Sequence, residues 1–207
     1  MRADEVEAYF TRGGASGYHF ARWGRPIVPV VFGVEDATLA VVKGAVEAVV
    51  ALAGHRMAET DPELGANFLL FFLRDWDELL AVPGLEAMLE NLPALVARLQ
   101  AGNANQYRSF RFDAAGAVKA CFAFLRMDAA LAAQPAETVA LLQAVQMILP
   151  WGDKAFAARA PLALADGVAV LRPDLAGLIR AAYDPVLPAS ARDASHALRL
   201  AARIPPG

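Results

Sequence analysis

Asn67-Phe-Leu-Leu-Phe-Phe-Leu73 is apolar on both faces that a strand presents and is short for a helix. It predicts a central strand, buried on both sides. Upstream, Arg25 to Val34 is β-branched and apolar but contains Pro26 and Pro29. Proline donates no ladder hydrogen bond, which predicts an edge strand. Asp36 then stands where an N-cap belongs, and Leu39, Val42, Val46, Val49 and Ala53 recur at helical spacing up to Gly54. A helix over 37–53 follows.

Downstream, Pro83-Gly84 opens a helical stretch that Pro93 divides and Gly102 closes. Gln106 to Phe112 and Ala117 to Met127 flank the turn-like Asp113-Ala-Ala-Gly116, which predicts a β-hairpin. Its second strand is apolar on both faces, with Val118, Phe122 and Phe124 set opposite Cys121 and Leu125. Three helices finish the chain. A long one runs from about Pro135 to Leu149, with Val139, Leu142, Val145 and Leu149 on one face. The next is opened by Pro173 and closed before Pro185, and the last runs from about Ala191 to Arg203. The fold class is α/β of the α+β kind: a small mixed sheet of about four strands, with a long helix and C-terminal helices packed on it.

Composition agrees with one folded domain over 1–207, with 1–20 read as a loosely packed N-terminal segment. At 207 residues, 57% apolar and 20% charged, the chain is globular rather than disordered. Net charge is −3 and the basic residues are scattered, so the footprint of a nucleic-acid binder is missing. The longest apolar run, Phe68 to Leu73, falls far short of the roughly 20 residues that span a bilayer, so the chain reads as soluble with no membrane span. Met1 to Arg12 has no apolar core of a signal peptide. The location is therefore cytoplasmic if the chain is complete, and periplasmic or extracellular if a signal peptide has been removed.

Catalytic motifs are missing. His19, His55 and His196 lie in three distant segments without a ligand partner at zinc spacing, and read as solitary surface or partly buried side chains. Cys121, the single cysteine, sits in an apolar strand and reads as a buried inert thiol. Arg12-Gly-Gly-Ala-Ser-Gly17 lacks the Lys-Ser/Thr ending of a phosphate loop and reads as a flexible loop. Asp75, Asp77 and Glu78 form the densest acidic group, on a loop end that caps the next helix. Trp151-Gly152-Asp153 follows the helix stop at Pro150, where the indole either folds back on the core or walls a groove. Tyr183-Asp184-Pro185 ends a helix, with Tyr183 as its anchor. No metal ligand, cofactor or catalytic residue is assigned.

The order of elements resembles that of zincin-like domains, and in particular a bacterial group of mostly exported domains related to those peptidases. The resemblance rests on Arg22-Trp23-Gly-Arg-Pro26-Ile27, on Asn67-Phe-Leu-Leu-Phe-Phe, on Gln143 with Leu149-Pro150-Trp-Gly-Asp153, and on Leu171-Arg-Pro-Asp-Leu-Ala-Gly-Leu-Ile-Arg-Ala-Ala-Tyr183-Asp184-Pro185. Where that family tends to carry an acid three positions before the helix Gln, this chain has Ala140, and the long helix holds no His. The resemblance thus implies a degenerate member that has lost hydrolysis.

Two functions remain open. One is a non-catalytic domain that binds a peptide or protein partner in a groove beside the long helix, with Gln143, Gln146, Trp151, Asp153 and Tyr183 as candidate groove residues. The other is a hydrolase whose acids, Asp75 or Asp153 among them, converge in a way the sequence hides. Gln143 and Gln146 share a helix face, which either meets solvent or lines the cleft. Oligomeric state is open.

Overall fold

In the computed structural model, which describes residues 1–13 and 17–205, the chain begins with α1 (Ala3–Phe10). A ribbon of β1 (Thr11–Arg12) and β2 (Gly17–Tyr18) follows, then β3 (Phe20–Ala21) and β4 (Pro29–Phe32). α2 (Asp36–Leu52) leads to β5 (Phe68–Leu73), a 3-10 helix at Trp76–Ala81, α3 (Leu85–Met88) and α4 (Leu92–Ala101). The hairpin β6 (Gln106–Phe112) and β7 (Val118–Arg126) comes next, followed by α5 (Ala129–Ala132) and the long α6 (Ala136–Ile148). The hairpin β8 (Leu162–Ala165) and β9 (Val168–Leu171), α7 (Pro173–Ala182), β10 (Ser190–Ala191) and α8 (Ser195–Ala201) complete the chain.

The main sheet has four strands in the order β4-β5-β7-β6. β4, β5 and β7 run parallel, and β6 is antiparallel to β7. The expected α+β class with a small mixed sheet is therefore present, with the proline-bearing strand at one edge and Phe68–Leu73 inside. Alternation along β5 divides the interior in two. Phe68, Leu70 and Phe72 enter the larger core with α1, α2, α6, α7 and α8, whereas Phe71 and Leu73 enter a smaller one with the 3-10 helix, α3 and α4. Each buried Phe or Leu contributes roughly 1.5–3 kcal/mol through the apolar surface it removes from water.

Strand entry is set by Asn67, fully buried at the foot of β5. Its amide donates to Pro26 O (2.8 Å) and Asp61 Oδ2 (2.9 Å) and accepts from Val28 N (2.8 Å). That network ties β4 to β5. α2 stops as Gly54 predicts: Gly54 N donates to Ala51 O and His55 N to Val50 O, the paired bonds of a Schellman end.

Several expectations need correction. Val118 shares a core with Cys121, Ala123 and Leu125, not with Phe122 and Phe124. The pairing register slips between Arg111 and Phe112, and the bulge turns the start of β7 over. The last helix starts at Ser195 rather than about Ala191, because Ser190–Ala191 pairs with Phe20–Ala21 and Asp193 Oδ1 accepts from Ser195 N at the turn. The segment read as loose, 1–20, is packed where it is described, since Val6, Phe10 and Phe20 are fully buried and an apolar helix face outweighs the entropy of the free chain. The glycine-rich loop reading falls largely on 14–16, outside the described residues.

Candidate functional site

The site forms where α6 faces the inward side chains of β6, the outer strand of the sheet, and hydrogen-bonds to them. Among the described residues β6 pairs only on its β7 side, and its even-numbered side chains face α6, with Phe110 and Phe112 packed against the larger core. Gln106 and Arg108 occupy that same inward face. On α6, Gln143 and Gln146 lie three apart and meet them. The Arg108 guanidinium donates from Nη2 to Gln143 Oε1 and from Nη1 to Gln146 Oε1, and Gln143 Nε2 donates to Gln106 Oε1 at 2.9 Å. This polar ladder joins strand to helix. Gln143 is 1% exposed, so the outer-surface alternative does not hold for it, and Gln146 is half-buried.

Beside the ladder opens a cavity of about 440 Å³, lined by Tyr107 to Phe110 and Phe112 of β6, Gln146, Arg12, and Trp151, Gly152, Asp153 and Phe156 from the segment after α6. A second of about 350 Å³ lies on the other side of the same edge, between β6 and α4, and shares Tyr107 and Ser109. Trp151 does both things the sequence left open: its ring stacks on Phe10 at 5.7 Å and meets Phe156 edge-on at 5.2 Å, and it also walls the cavity.

The chain reaches this place through a close approach. Gly152 N donates to Tyr9 O at 2.7 Å, and a Cβ on Gly152 would lie 2.2 Å from Thr11 O. Asp153 Oδ2 accepts from Gly13 N at 2.9 Å, fixing the turn that carries Arg12. Burial lowers the pKa of Arg12, Asp153 opposes that shift, and nearby Arg192 adds to it. Burial likewise depresses Arg108, whose charge has Cys121 as a neighbour. The Cys121 thiol is pushed up to about 12 by its burial, which leaves it protonated and inert as a nucleophile.

Of the five candidate residues, Gln146, Trp151 and Asp153 line the cavity and Gln143 stands behind it. Tyr183 does not line it. Its hydroxyl donates to Ile148 O at 2.8 Å, Trp23 Nε1 donates to Met147 O at 2.9 Å, and Trp151 Nε1 donates to Val145 O at 2.8 Å. Three aromatic donors thus satisfy carbonyls that the end of α6 leaves without helical partners. Sequence reading missed Gln106, Arg108 and Arg12. The legible signal was a cation on an inward strand face whose other members are Phe110 and Phe112.

The remaining chemistry is dispersed. Asp75 lies at the 3-10 helix start, where Glu78 Oε1 accepts from Arg74 N and Asp75 N; Asp77 accepts from Gln100. Among the described residues no three His, Cys, Asp or Glu side chains converge as a metal set. His19 and His196 are more buried than expected, 4% and 3% exposed. No described helix is long and apolar enough to cross a membrane. Comparison of the chain with models of known families, with curated proteins and with solved structures finds no match.

Proposed function

We propose that this domain is a non-catalytic binding module that takes an extended peptide segment of a partner protein along the free edge of β6, beneath α6. The observation that carries this reading is the cavity of about 440 Å³ beside an unpaired strand edge, with a second of about 350 Å³ on its other side. An extended peptide added to a sheet edge gains main-chain hydrogen bonds, and pockets on alternate sides of the strand receive its alternate side chains. The other sheet edge suits this less, because β4 is four residues long and begins at Pro29, whereas β6 has seven residues.

The resemblance to zincin-like domains supports the same place, since their peptides lie along a strand edge close to the long helix. In that comparison α6 presents Gln143 and Gln146, amides held by Arg108, where metal-binding side chains would be required. Binding needs none.

The test is selection from a random-peptide display library on the full chain, followed by backbone amide NMR with the synthesised winner. The reading expects shifts centred on β6 and the cavity-facing end of α6, lost in Ser109→Trp, which fills the mouth. Shifts elsewhere, or cleavage of the peptide, would overturn it.

A further inference from the structure

The two arginines of the cavity carry an inference about the ligand. Arg108 and Arg12 both line it, and neither forms an ion pair with a carboxylate among the described residues. The Nε of each is buried and without a hydrogen-bond partner. Arg108 is half-buried and uses two of its five donors on neutral amides, so its charge has no anion against it. Buried cations are ordinarily paired. An inward charge on an edge strand can serve to discourage edge-to-edge pairing, and that explains one arginine. It does not explain a second, brought in from a separate segment through the Gly152 contact, with its own unsatisfied Nε.

The surrounding charges keep the cavity positive. Asp153 is the acid in the lining, with Oδ2 accepting from Gly13 N; its one charge offsets one of the two lining arginines, while Arg192 adds a further cation near Arg12 and His19. Trp151, Phe156 and Phe110 supply apolar walls, which exclude water and strengthen a charge-assisted bond. A guanidinium offers paired donors matched to a carboxylate.

We infer that the cavity is a carboxylate site, and that the partner segment places an acidic group between Arg12 and Arg108. This rests on the binding reading above. The acid is either a Glu or Asp side chain within the segment or the carboxylate at its C-terminus.

Side-chain NMR of the arginine Nε–H groups, in the full chain labelled with ¹⁵N-arginine, tests it with three probes: N-acetyl-Phe-Glu-amide, N-acetyl-Phe-Gly with a free carboxylate, and neutral N-acetyl-Phe-Gln-amide. At least one acidic probe should give saturable shifts of the Arg12 and Arg108 signals, and the tighter of the two identifies the source. The neutral probe should bind about tenfold more weakly, the worth of one charge-assisted hydrogen bond. Arg108→Gln should remove the preference; Arg12→Gln, on a partly exposed segment, serves the same purpose if the first variant fails to fold. Equal response to the neutral probe, or to chloride, overturns the inference while leaving the strand-edge reading intact. Acid-dependent shifts of the arginines, with a display-selected peptide mapping away from β6, would retain the carboxylate site and refute the strand-edge reading.

Discussion

Phe124 lies on the inner strand β7, fully buried between Phe71 at 5.0 Å and Tyr107 at 6.3 Å. Phe124→Ala should cost roughly 3–5 kcal/mol by urea unfolding, because the smaller core on that face has little to collapse into the void. A loss under about 1 kcal/mol would place the strand at the periphery. Gly152→Ala is expected to act differently. Its Cβ would meet Thr11 O at 2.2 Å, so the turn bearing Arg12 must move; the expected loss is about 1–3 kcal/mol, and it should perturb the Arg12 Nε signal before any core resonance. Residues like Phe124 were legible because alternation assigns them to a face. Arg108 was not, because nothing in a strand pattern says whether a lone inward cation has a partner until the helix carrying Gln143 and Gln146 is laid across it.

At the scale of elements, α6 is held by polar contacts that its apolar pattern conceals. Gln143→Ala takes an acceptor from Arg108 and a donor from Gln106. It should cost about 1–3 kcal/mol, the usual penalty for stranding a buried polar group; an effect near zero would mean that water replaces the amide freely. The half-buried Gln146 should matter less when changed to Ala. Legibility followed signal strength here too. The edge strand, α2, β5, the β6–β7 hairpin and the long helix were all readable from period and proline position. The β8–β9 hairpin was missed although Asp166-Gly167, both at positive φ, is a two-residue turn signal between apolar runs. β10 was missed because its two residues pair with Phe20–Ala21, far away in sequence, and carry no local pattern.

For the whole molecule, buried ionisable groups set how stability depends on pH. His19 and His196 are lowered to about 4 from 6.5, first by burial and then by nearby arginines, Arg192 and Arg12 for His19 and Arg199, Arg22 and Arg203 for His196. The unfolded chain therefore binds more protons than the folded one between those values. The histidines' contribution is full above about pH 6.5 and falls as the pH drops toward 4, by roughly 3 kcal/mol for each histidine. Asp61 extends the fall: burial would raise it, but hydrogen bonds from Leu64 N, Asn67, Glu63 N and Arg25 hold it down to about 2. Its share is present above pH 3.8 and lost as the pH falls toward 2. Urea unfolding from pH 7 to 4 checks the first window, and a flat profile there would contradict it. His196→Gln, whose amide can still take the Tyr18 hydroxyl now 3.0 Å from Nδ1, should flatten the slope in part.

Binding at the free edge of β6 is the central claim, and both outer strands of the sheet are available to test it within one molecule. Residue-resolved hydrogen exchange on the full chain, with and without the display-selected peptide, compares the amides of β6 with those of β4, the opposite edge. Strand addition predicts slowed exchange along Gln106–Phe112 and no change along Pro29–Phe32. Protection along Pro29–Phe32 instead, or none in either strand with the peptide bound, would contradict it.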